Sequence, residues 1–344
     1  MNTTTVDVHA HALIPEAEGL MGGEPALAVA QASEARAAGT TSAEANRRQV
    51  TALYGALTNP AHRLAAMDTA GIDVQLVSPL PVQHEWADSA LSVRYSRAVN
   101  NGIATHCSHA PERLHGLGAA PLHHPDLAAD SLREAINLGL RGVQISSHAG
   151  PAELSDPALD DFWACAEELD AIVFIHPWGC SLGDRLNAGY LSNTIGNPIE
   201  TTVALSRLIL DGTLDRHPRL RLLAAHGGGY LPAGIARLDH AWHARADART
   251  CRQPPSAYLR RLWFDSLVYA PAALRALIDA VGADRVAMGT DYPFDMGVSD
   301  PLERLTAADL SHDHAELLGG TTAHHLLNLH PNSHNHGDTH GIRT

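Results

Sequence analysis

Short apolar, β-branched runs alternate with amphipathic segments along most of the chain, and this alternation constrains the fold more than any other feature. Eight of the runs predict strands: VDVHAHA (6–12), IDVQLVSP (72–79), LHGLGAAPL (114–122), RGVQISS (141–147), AIVFIHP (171–177), LRLLAAHG (220–227), RLWFDSL (261–267) and RVAMGTDYP (285–293). The segments between them, such as DLAADSLREAINLG and APAALRALIDAVG, have helical periodicity. Alternating strands and helices indicate a parallel sheet, and eight units in 344 residues favour an α/β fold closed into a (β/α)8 TIM barrel.

Two segments interrupt this alternation. Residues 13–60 form a long insertion after the first strand, and residues 178–198 form a long loop after the fifth. Because loops that follow barrel strands lie on the catalytic face, both segments are expected to build the wall of a pocket. Residues 1–330 are expected to form a single domain, and the polar, His-rich residues 331–344 a disordered tail.

Charge and composition exclude several classes of partner. The formal net charge of −14 argues against binding to nucleic acid or to an anionic membrane surface, and an anionic substrate would need arginines placed locally. The N-terminal residues lack the basic and apolar regions of a signal peptide, and no apolar run reaches membrane-spanning length. The four scattered cysteines are typical of reduced thiols, so we expect a cytoplasmic protein.

Histidines and a carboxylate stand at the ends of predicted strands. His9 and His11 point to one face of the first strand, because side chains two residues apart share a side. The fifth, sixth and eighth strands end at His176, His226 and Asp291, where a barrel keeps its catalytic groups. Any one of these residues is explained as readily by packing or capping, but five together at one face of a barrel indicate a metal site. Imidazoles and a carboxylate suit zinc or another first-row divalent ion.

The chain contains no lysine, so all 24 of its basic side chains other than histidine are arginine. Schiff-base chemistry on a lysine is therefore impossible, and no carbamylated lysine can bridge two metal ions. A single divalent ion is the natural interpretation, with zinc the first expectation, manganese the alternative, and no organic cofactor. His226 then remains as an acid or base beside the ion rather than a bridging ligand.

Four motifs occur in a fixed order along the chain: D-V-H-A-H, I-H-P-W, A-H-G-G-G and G-T-D-Y-P-F. In this order they resemble the amidohydrolase superfamily, and within it the branch of aminocarboxymuconate-semialdehyde decarboxylase and the γ-resorcylate-type decarboxylases. The resemblance extends to about residue 330. It implies that His226 is the catalytic acid or base, and that the metal ligands are His9, His11, His176 and Asp291.

The resemblance also implies which residues bind the substrate. Arg237 matches a position that reaches across a homodimer into the neighbouring active site to bind a carboxylate, and Arg47 or Arg48 in the insertion would act similarly. Trp178, which follows the I-H-P motif, would line the pocket. Without the resemblance, the arginines are ordinary solvated helix residues or ion-pair partners, and Trp178 is a packing residue of its loop.

The function expected from these residues is the metal-dependent, non-oxidative decarboxylation of a small unsaturated or aromatic carboxylic acid. Either an activated water adds to the substrate before carbon dioxide leaves, or Asp291 or His226 first protonates the carbon that carries the carboxylate. The residues leave both routes open. A hydrolase or hydratase on the same scaffold is the alternative, since an activated water can also attack an amide or lactone carbon, and a metal-binding barrel without catalysis is a third hypothesis.

Overall fold

The computed structural model describes residues 4–82 and 84–329 of the chain. Its eight parallel strands are β1 (Val6–Ala12), β2 (Val74–Pro79), β3 (Leu114–Gly116, resuming at Gly118–Ala119), β4 (Gly142–Ile145), β5 (Ile172–Ile175), β6 (Arg221–Ala224), β7 (Trp263–Asp265) and β8 (Val286–Ala287). A separate hairpin of two short antiparallel strands, His148–Ala149 and Ala152–Glu153, follows β4. The tail predicted at 331–344 lies outside the described residues, so that prediction stays open.

The strands follow one another in order in two parallel sheets, and backbone hydrogen bonds join the sheets at both ends. β1 pairs with β2, and β2 pairs with the first segment of β3. The second segment of β3 pairs with β4, and each later strand up to β8 pairs with the one before it. The ring closes between the last strand and the first, where the Val8 amide donates to the Met288 carbonyl at 2.9 Å. A few residues later, the Asp291 amide donates to the His9 carbonyl at 2.8 Å. The predicted TIM barrel is therefore confirmed.

Several strands are shorter in the structure than in the sequence pattern. β6 and β8 end before His226 and Asp291, whose φ angles of 54° and 58° take the backbone out of the extended conformation. β3 is interrupted at Leu117, which still donates its amide to the Val77 carbonyl at 2.8 Å. The regular strands thus stop before the predicted functional residues of the sixth and eighth strands begin.

Helices account for most of the remaining chain. The α-helices are α1 (Pro15–Gly22), α2 (Pro25–Ala38), α3 (Thr40–Ala52), α4 (Tyr54–Thr58), α5 (Pro60–Ala70), α6 (Ser89–Cys107), α7 (Pro125–Asn137), α8 (Asp160–Glu168), α9 (Asn197–Leu210), α10 (Thr213–Arg216), α11 (Leu231–Ala244), α12 (Ser256–Leu259), α13 (Pro271–Val281), α14 (Pro301–Ala307), α15 (His312–Glu316) and α16 (Thr322–Leu327). Short 3-10 turns are Pro157–Leu159, Gly183–Leu186, His226–Gly228, Ala246–Ala248 and Ala283–Arg285, and π turns are Ser192–Gly196 and Leu317–Thr321. Of the helices in the described ranges, none is both long and apolar enough to cross a membrane.

Two apolar layers hold the strands in place. Side chains such as Leu76 and Phe174 point inward and fill the barrel. Side chains on the other face of the strands pack against the helices, in a layer that also buries Phe162 and Trp163 of α8 completely. Burial of both faces explains why the strand runs are almost continuously apolar, and why a polar residue within such a run is informative.

The start of β4 is a glycine whose replacement tests how closely β4 and β5 approach each other. Gly142 has a φ of 150°, and a Cβ built on it would lie 1.8 Å from the Ile172 carbonyl oxygen. Gly142→Ala is therefore expected to lower the free energy of unfolding by about 2–4 kcal/mol, measured by urea denaturation. Gly19→Ala is the matched control, since Gly19 lies in α1 with open space around it and should gain up to about 1 kcal/mol. Equal stabilities for the two variants would contradict the close approach.

Candidate metal centre

Four buried side chains converge at the carboxyl end of the barrel. One ligand atom from each lies within 4.8 Å of the others in the group His9, His11, His176 and Asp291, called here the metal-binding group. His9 Nε2 is 3.2 Å from His11 Nε2, and His11 Nε2 is 3.1 Å from an Asp291 carboxylate oxygen. Three imidazoles and one carboxylate at such separations fit a divalent first-row metal ion.

Strand alternation and a turn bring these residues together. His9 and His11 are two residues apart on β1 and both are fully buried. His176 directly follows β5. Asp291 lies in the left-handed turn after β8, where its amide bond to the His9 carbonyl fixes it against β1. Residues from the first, fifth and eighth strands therefore meet although they are far apart in the chain.

Each imidazole of the metal-binding group is oriented by a hydrogen bond from its Nδ1. His9 Nδ1 donates to the Asp265 carboxylate at 2.6 Å. His11 and His176 donate from Nδ1 to backbone carbonyls, at 2.9 Å and 3.0 Å. His176 Nε2 is buried and has no hydrogen-bond partner among the described residues. The three Nε2 atoms are thus left as acceptors for a metal ion, the usual arrangement around ligating histidines.

Burial and neighbouring charges set the protonation of the group. Burial lowers the pKa of His11 and holds that of His176 well below its usual value, so both imidazoles are neutral near pH 7. Burial disfavours ionisation of Asp291, but the surrounding imidazoles, led by His9, hold its pKa well below the ordinary range. Burial also disfavours protonated His9, yet the carboxylates of Asp291 and Asp265 raise its pKa. A bound cation would oppose that protonation, because it competes with the proton for Nε2.

His226 lies beside the metal-binding group but outside it. Its Nε2 is 3.8 Å from an Asp291 carboxylate oxygen, and its ring centroid is 5.1 Å from that of His176. Its side chain is 14% exposed, whereas that of His9 is fully buried. This placement suits the predicted acid or base, because the imidazole is next to the ligands and remains reachable from solvent.

Two buried aspartates that support the group are missing from the sequence-based prediction. Besides His9 Nδ1, Asp265 accepts a hydrogen bond from the His226 amide at 2.8 Å. Asp7 accepts from the His9 amide at 3.0 Å and from Thr290 Oγ1 at 2.6 Å. Both aspartates stand inside apolar strand runs, VDVHAHA and RLWFDSL, and a carboxylate in a buried strand is a signal that could have identified them.

A fully buried arginine on α5 is the third residue that the prediction misses. Arg63 donates to Gln75 Oε1 at 2.7 Å and to the His11 carbonyl. Its Nε donates to His106 Nε2 at 3.0 Å, and Gln75 Nε2 donates in turn to Asp7 at 2.8 Å. Burial lowers the pKa of Arg63 to about 10, so its guanidinium is still charged near pH 7. α5 therefore reaches through the barrel wall to the backbone of a predicted metal ligand.

The predicted substrate-binding residues lie on outer elements. Arg47 and Arg48 are exposed on α3, where Arg48 forms an ion pair within the helix at 3.8 Å, and Arg237 is exposed on α11. Within the described ranges, no hydrogen bond or ion pair joins these arginines to the metal-binding group. Trp178 is half-buried, and its Nε1 donates to a carboxylate oxygen of Glu34 on α2 at 3.4 Å. The loop at 178–198 thus contacts the insertion.

Comparison with known proteins assigns the chain to a family. Residues 6–329 match the family described as Amidohydrolase, and the chain belongs to that family. It is 35% identical over 279 residues to 2-amino-3-carboxymuconate-6-semialdehyde decarboxylase of Dictyostelium discoideum, covering 80% of this chain and 78% of the relative. It is 29% identical to gamma-resorcylate decarboxylase of Rhodococcus jostii, covering 78% of this chain and 87% of the relative. The resemblance that the four sequence motifs indicate is therefore confirmed.

A solved structure has the same fold. It is the 5-carboxyvanillate decarboxylase of Novosphingobium aromaticivorans, complexed with manganese and 4-hydroxy-3-methoxy-5-nitrobenzoic acid. It matches with a TM-score of 0.85 at 23% identity, covering 95% of this chain and 97% of that chain. The match extends to parts of the chain beyond the strands, since nearly the full length of both proteins aligns.

The orientation of His9 by Asp265 can be tested through metal affinity. Asp265→Asn keeps the size of the side chain but removes the charge that holds His9 Nδ1–H, so the affinity for a divalent ion is expected to fall about 10–100-fold. Calorimetric titration with zinc and with manganese measures the change. Asp170→Asn is the matched control. The Asp170 side chain is 57% exposed and forms an ion pair with Arg221 instead of contacting the metal-binding group. Equal affinities in the two variants would rule out this role for Asp265.

Proposed function

We propose that this protein is a metal-dependent, non-oxidative decarboxylase of a small unsaturated or aromatic carboxylic acid. The observation that carries the proposal is a buried group of three imidazoles and a carboxylate whose ligand atoms lie within 4.8 Å of one another. The fold and the ligands alone would also suit hydrolysis. The relatives favour decarboxylation, since both are named as decarboxylases of acids of this kind.

One divalent ion is the proposed cofactor, held by His9, His11, His176 and Asp291. The three imidazoles and single carboxylate favour zinc, whereas manganese is the ion bound in the 5-carboxyvanillate decarboxylase. When bound, the ion would hold the substrate carboxylate and an adjacent oxygen, and would offset the charge that develops as carbon dioxide leaves. We propose no organic cofactor, because this charge stabilisation is what the reaction requires.

His226 is the proposed proton carrier. Its Nε2 is 3.8 Å from Asp291, and its side chain is more exposed than those of the two ligands on β1. Asp291 is the weaker proton source, because the surrounding imidazoles keep it ionised despite its burial. His226 would deliver a proton to the carbon that loses the carboxylate, or accept one from the water that adds to the substrate.

The insertion and the 178–198 loop form the proposed pocket wall. Trp178 contacts Glu34, and a Cβ on Gly39, between α2 and α3, would lie 1.9 Å from the Asn187 carbonyl oxygen. The two segments are therefore packed directly on each other. We propose that Trp178 lines the pocket and that Arg47 or Arg48, from the same insertion, binds a substrate carboxylate. The free cysteines at 107, 165, 180 and 251 support the proposal of a cytoplasmic location.

A homodimer is the proposed assembly, with Arg237 of one protomer binding the substrate carboxylate in the other. Arg237 is exposed on α11 and forms no ion pair among the residues that the structure describes. Apolar side chains close to the start of this helix are 36–43% exposed, namely Leu191, Ile195, Val203 and Tyr230. Adjacent exposed apolar side chains are typical of a surface that another protein covers.

Release of carbon dioxide tests the proposed function. The protein loaded with zinc or manganese is expected to release carbon dioxide from at least one acid in a panel of 2-hydroxybenzoates and muconate semialdehydes. His226→Ala is expected to lower kcat by about 10²–10⁴-fold and to keep its metal, measured by elemental analysis. His176→Ala is the comparison variant, and it should lose the metal together with activity. Cleavage of an amide or lactone without release of carbon dioxide from any acid would favour the hydrolase instead.

The contribution of Arg237 across a dimer can be tested by mixing two inactive variants. Arg237→Met and His226→Ala each disable one part of the proposed site. If the two parts come from different protomers, re-associated mixtures are expected to recover about a quarter of wild-type activity, because mixed dimers hold one intact site. Sedimentation velocity checks that dimers form. A fully active monomer, or no recovery in mixed dimers, would contradict the proposal.

A further inference from the structure

A small cavity lies between the ends of β2, β3 and β4 and the helices α1 and α6. Its volume is about 30 Å³, and its lining includes Pro79, His84, Ser92, Ser96, His123 and Gln144. A cavity needs roughly 10–15 Å³ to hold one water molecule, so this space accommodates about two oxygen-sized groups but no second ring. Of the lining residues, Pro79 is the one that forms a hydrogen bond with a described member of the metal-binding group.

Two hydrogen bonds connect this cavity to a metal ligand. The Pro79 carbonyl accepts from His11 Nδ1 at 2.9 Å and from Gln144 Nε2 at 3.1 Å. Gln144 lies on β4 opposite Phe174 of β5, whose side chain is part of the barrel interior. Pro79, which lines the cavity, is therefore hydrogen-bonded directly to His11. The cavity lies at the same end of the barrel as the metal-binding group.

Two buried side chains of the lining have polar atoms without a partner. His84 is 7% exposed and Gln144 is 3% exposed. Neither His84 Nε2 nor Gln144 Oε1 has a hydrogen-bond partner within residues 4–82 and 84–329. A buried polar atom left without a partner costs about 1–3 kcal/mol, so both atoms favour a ligand that can form hydrogen bonds.

The lining combines apolar side chains with polar side chains that carry no charge. Burial lowers the pKa of His84 to about 4 and also lowers that of His123, so both imidazoles are neutral near pH 7. Among the described residues, the lining includes no arginine, aspartate or glutamate. A carboxylate would lose its hydration in this cavity without meeting an opposite charge, whereas a hydroxyl or aldehyde oxygen would lose far less.

We propose that this cavity binds a single uncharged oxygen of the substrate, a hydroxyl or an aldehyde oxygen, through His84 and Gln144. The inference rests on the proposed decarboxylase function and specifies its substrate. Gln144 Oε1 would accept a hydrogen bond from a hydroxyl, and the neutral imidazole of His84 can donate to an oxygen or accept from it. The site thereby selects acids with an uncharged oxygen near the carboxylate and rejects acids with a second carboxylate at that position.

Two acids that differ by one hydroxyl test this selection. The binding of 2-hydroxybenzoate and of 2,6-dihydroxybenzoate to the manganese-loaded protein is measured by calorimetry. One hydroxyl is left for the metal-binding group, and the second is expected to enter the cavity and tighten binding about tenfold. His84→Leu should abolish that preference. His115→Leu is the matched control, because His115 is a half-buried imidazole on β3 that is absent from the lining.

An open-chain substrate distinguishes the two sources of the oxygen. If the benzoates bind alike to the wild-type protein, His84→Leu is expected to lower kcat/KM for the amino-carboxymuconate semialdehyde about tenfold or more, which would assign the cavity to the aldehyde. No effect of His84→Leu on either series overturns the proposal. If this variant fails to fold, Ser96→Val narrows the same cavity from α6 and should have the same effect, since Ser96 is 4% exposed.

The binding measurement also separates this inference from the proposed function. Calorimetry requires no turnover. A preference for the second hydroxyl that depends on His84 would therefore support oxygen binding in the cavity even if no acid released carbon dioxide. The opposite result is release of carbon dioxide by a protein in which His84→Leu and Ser96→Val change neither the binding of the benzoates nor kcat/KM for the semialdehyde. It would support the decarboxylase function and overturn the proposal that the cavity binds a substrate oxygen.

Discussion

The closure of the barrel between β1 and β8 is the constraint on which the rest of the structure depends. Thr290 is joined to Asp7, 283 positions earlier, by two hydrogen bonds, and the next residue, Asp291, is joined to the His9 carbonyl. Because the metal-binding group combines residues from both ends of the chain, it cannot form until the last strand has paired with the first. Completion of the fold and assembly of the candidate site are therefore the same event.

Beneath the metal-binding group lies a layer of buried charge that the protein compensates internally. Asp265 and Asp7 each accept several hydrogen bonds, and the guanidinium of Arg63 reaches Asp7 through Gln75. Removing one member of such a buried network costs about 3–5 kcal/mol, because the partner is left uncompensated. The same bonds hold the backbone and ring of His9, so the positions of the ligands and the stability of the barrel are not independent.

The fold and the metal-binding group were predictable because both follow from strand order. The ends of parallel barrel strands meet at one face, so a residue at the end of a predicted strand can be placed from the sequence alone. The supporting residues were not predictable in this way. Arg63 lies in a helix whose pattern does not mark it as buried, and the pairing of Asp7 with Thr290 depends on strand register. The cavity at His84 depends on how α1 and α6 seat against the strand ends, which no local pattern specifies.

The packing of the insertion against the 178–198 loop has a consequence for how such proteins change over time. The metal-binding group comes from strand ends inside the barrel, whereas Trp178 and Glu34 belong to segments that contact each other outside it. If the two segments form the pocket wall proposed above, substitutions or length changes in them would reshape that wall while the strand ends stay in register. A lineage built on this scaffold can thus diversify the acids it accepts while inheriting its chemistry unchanged.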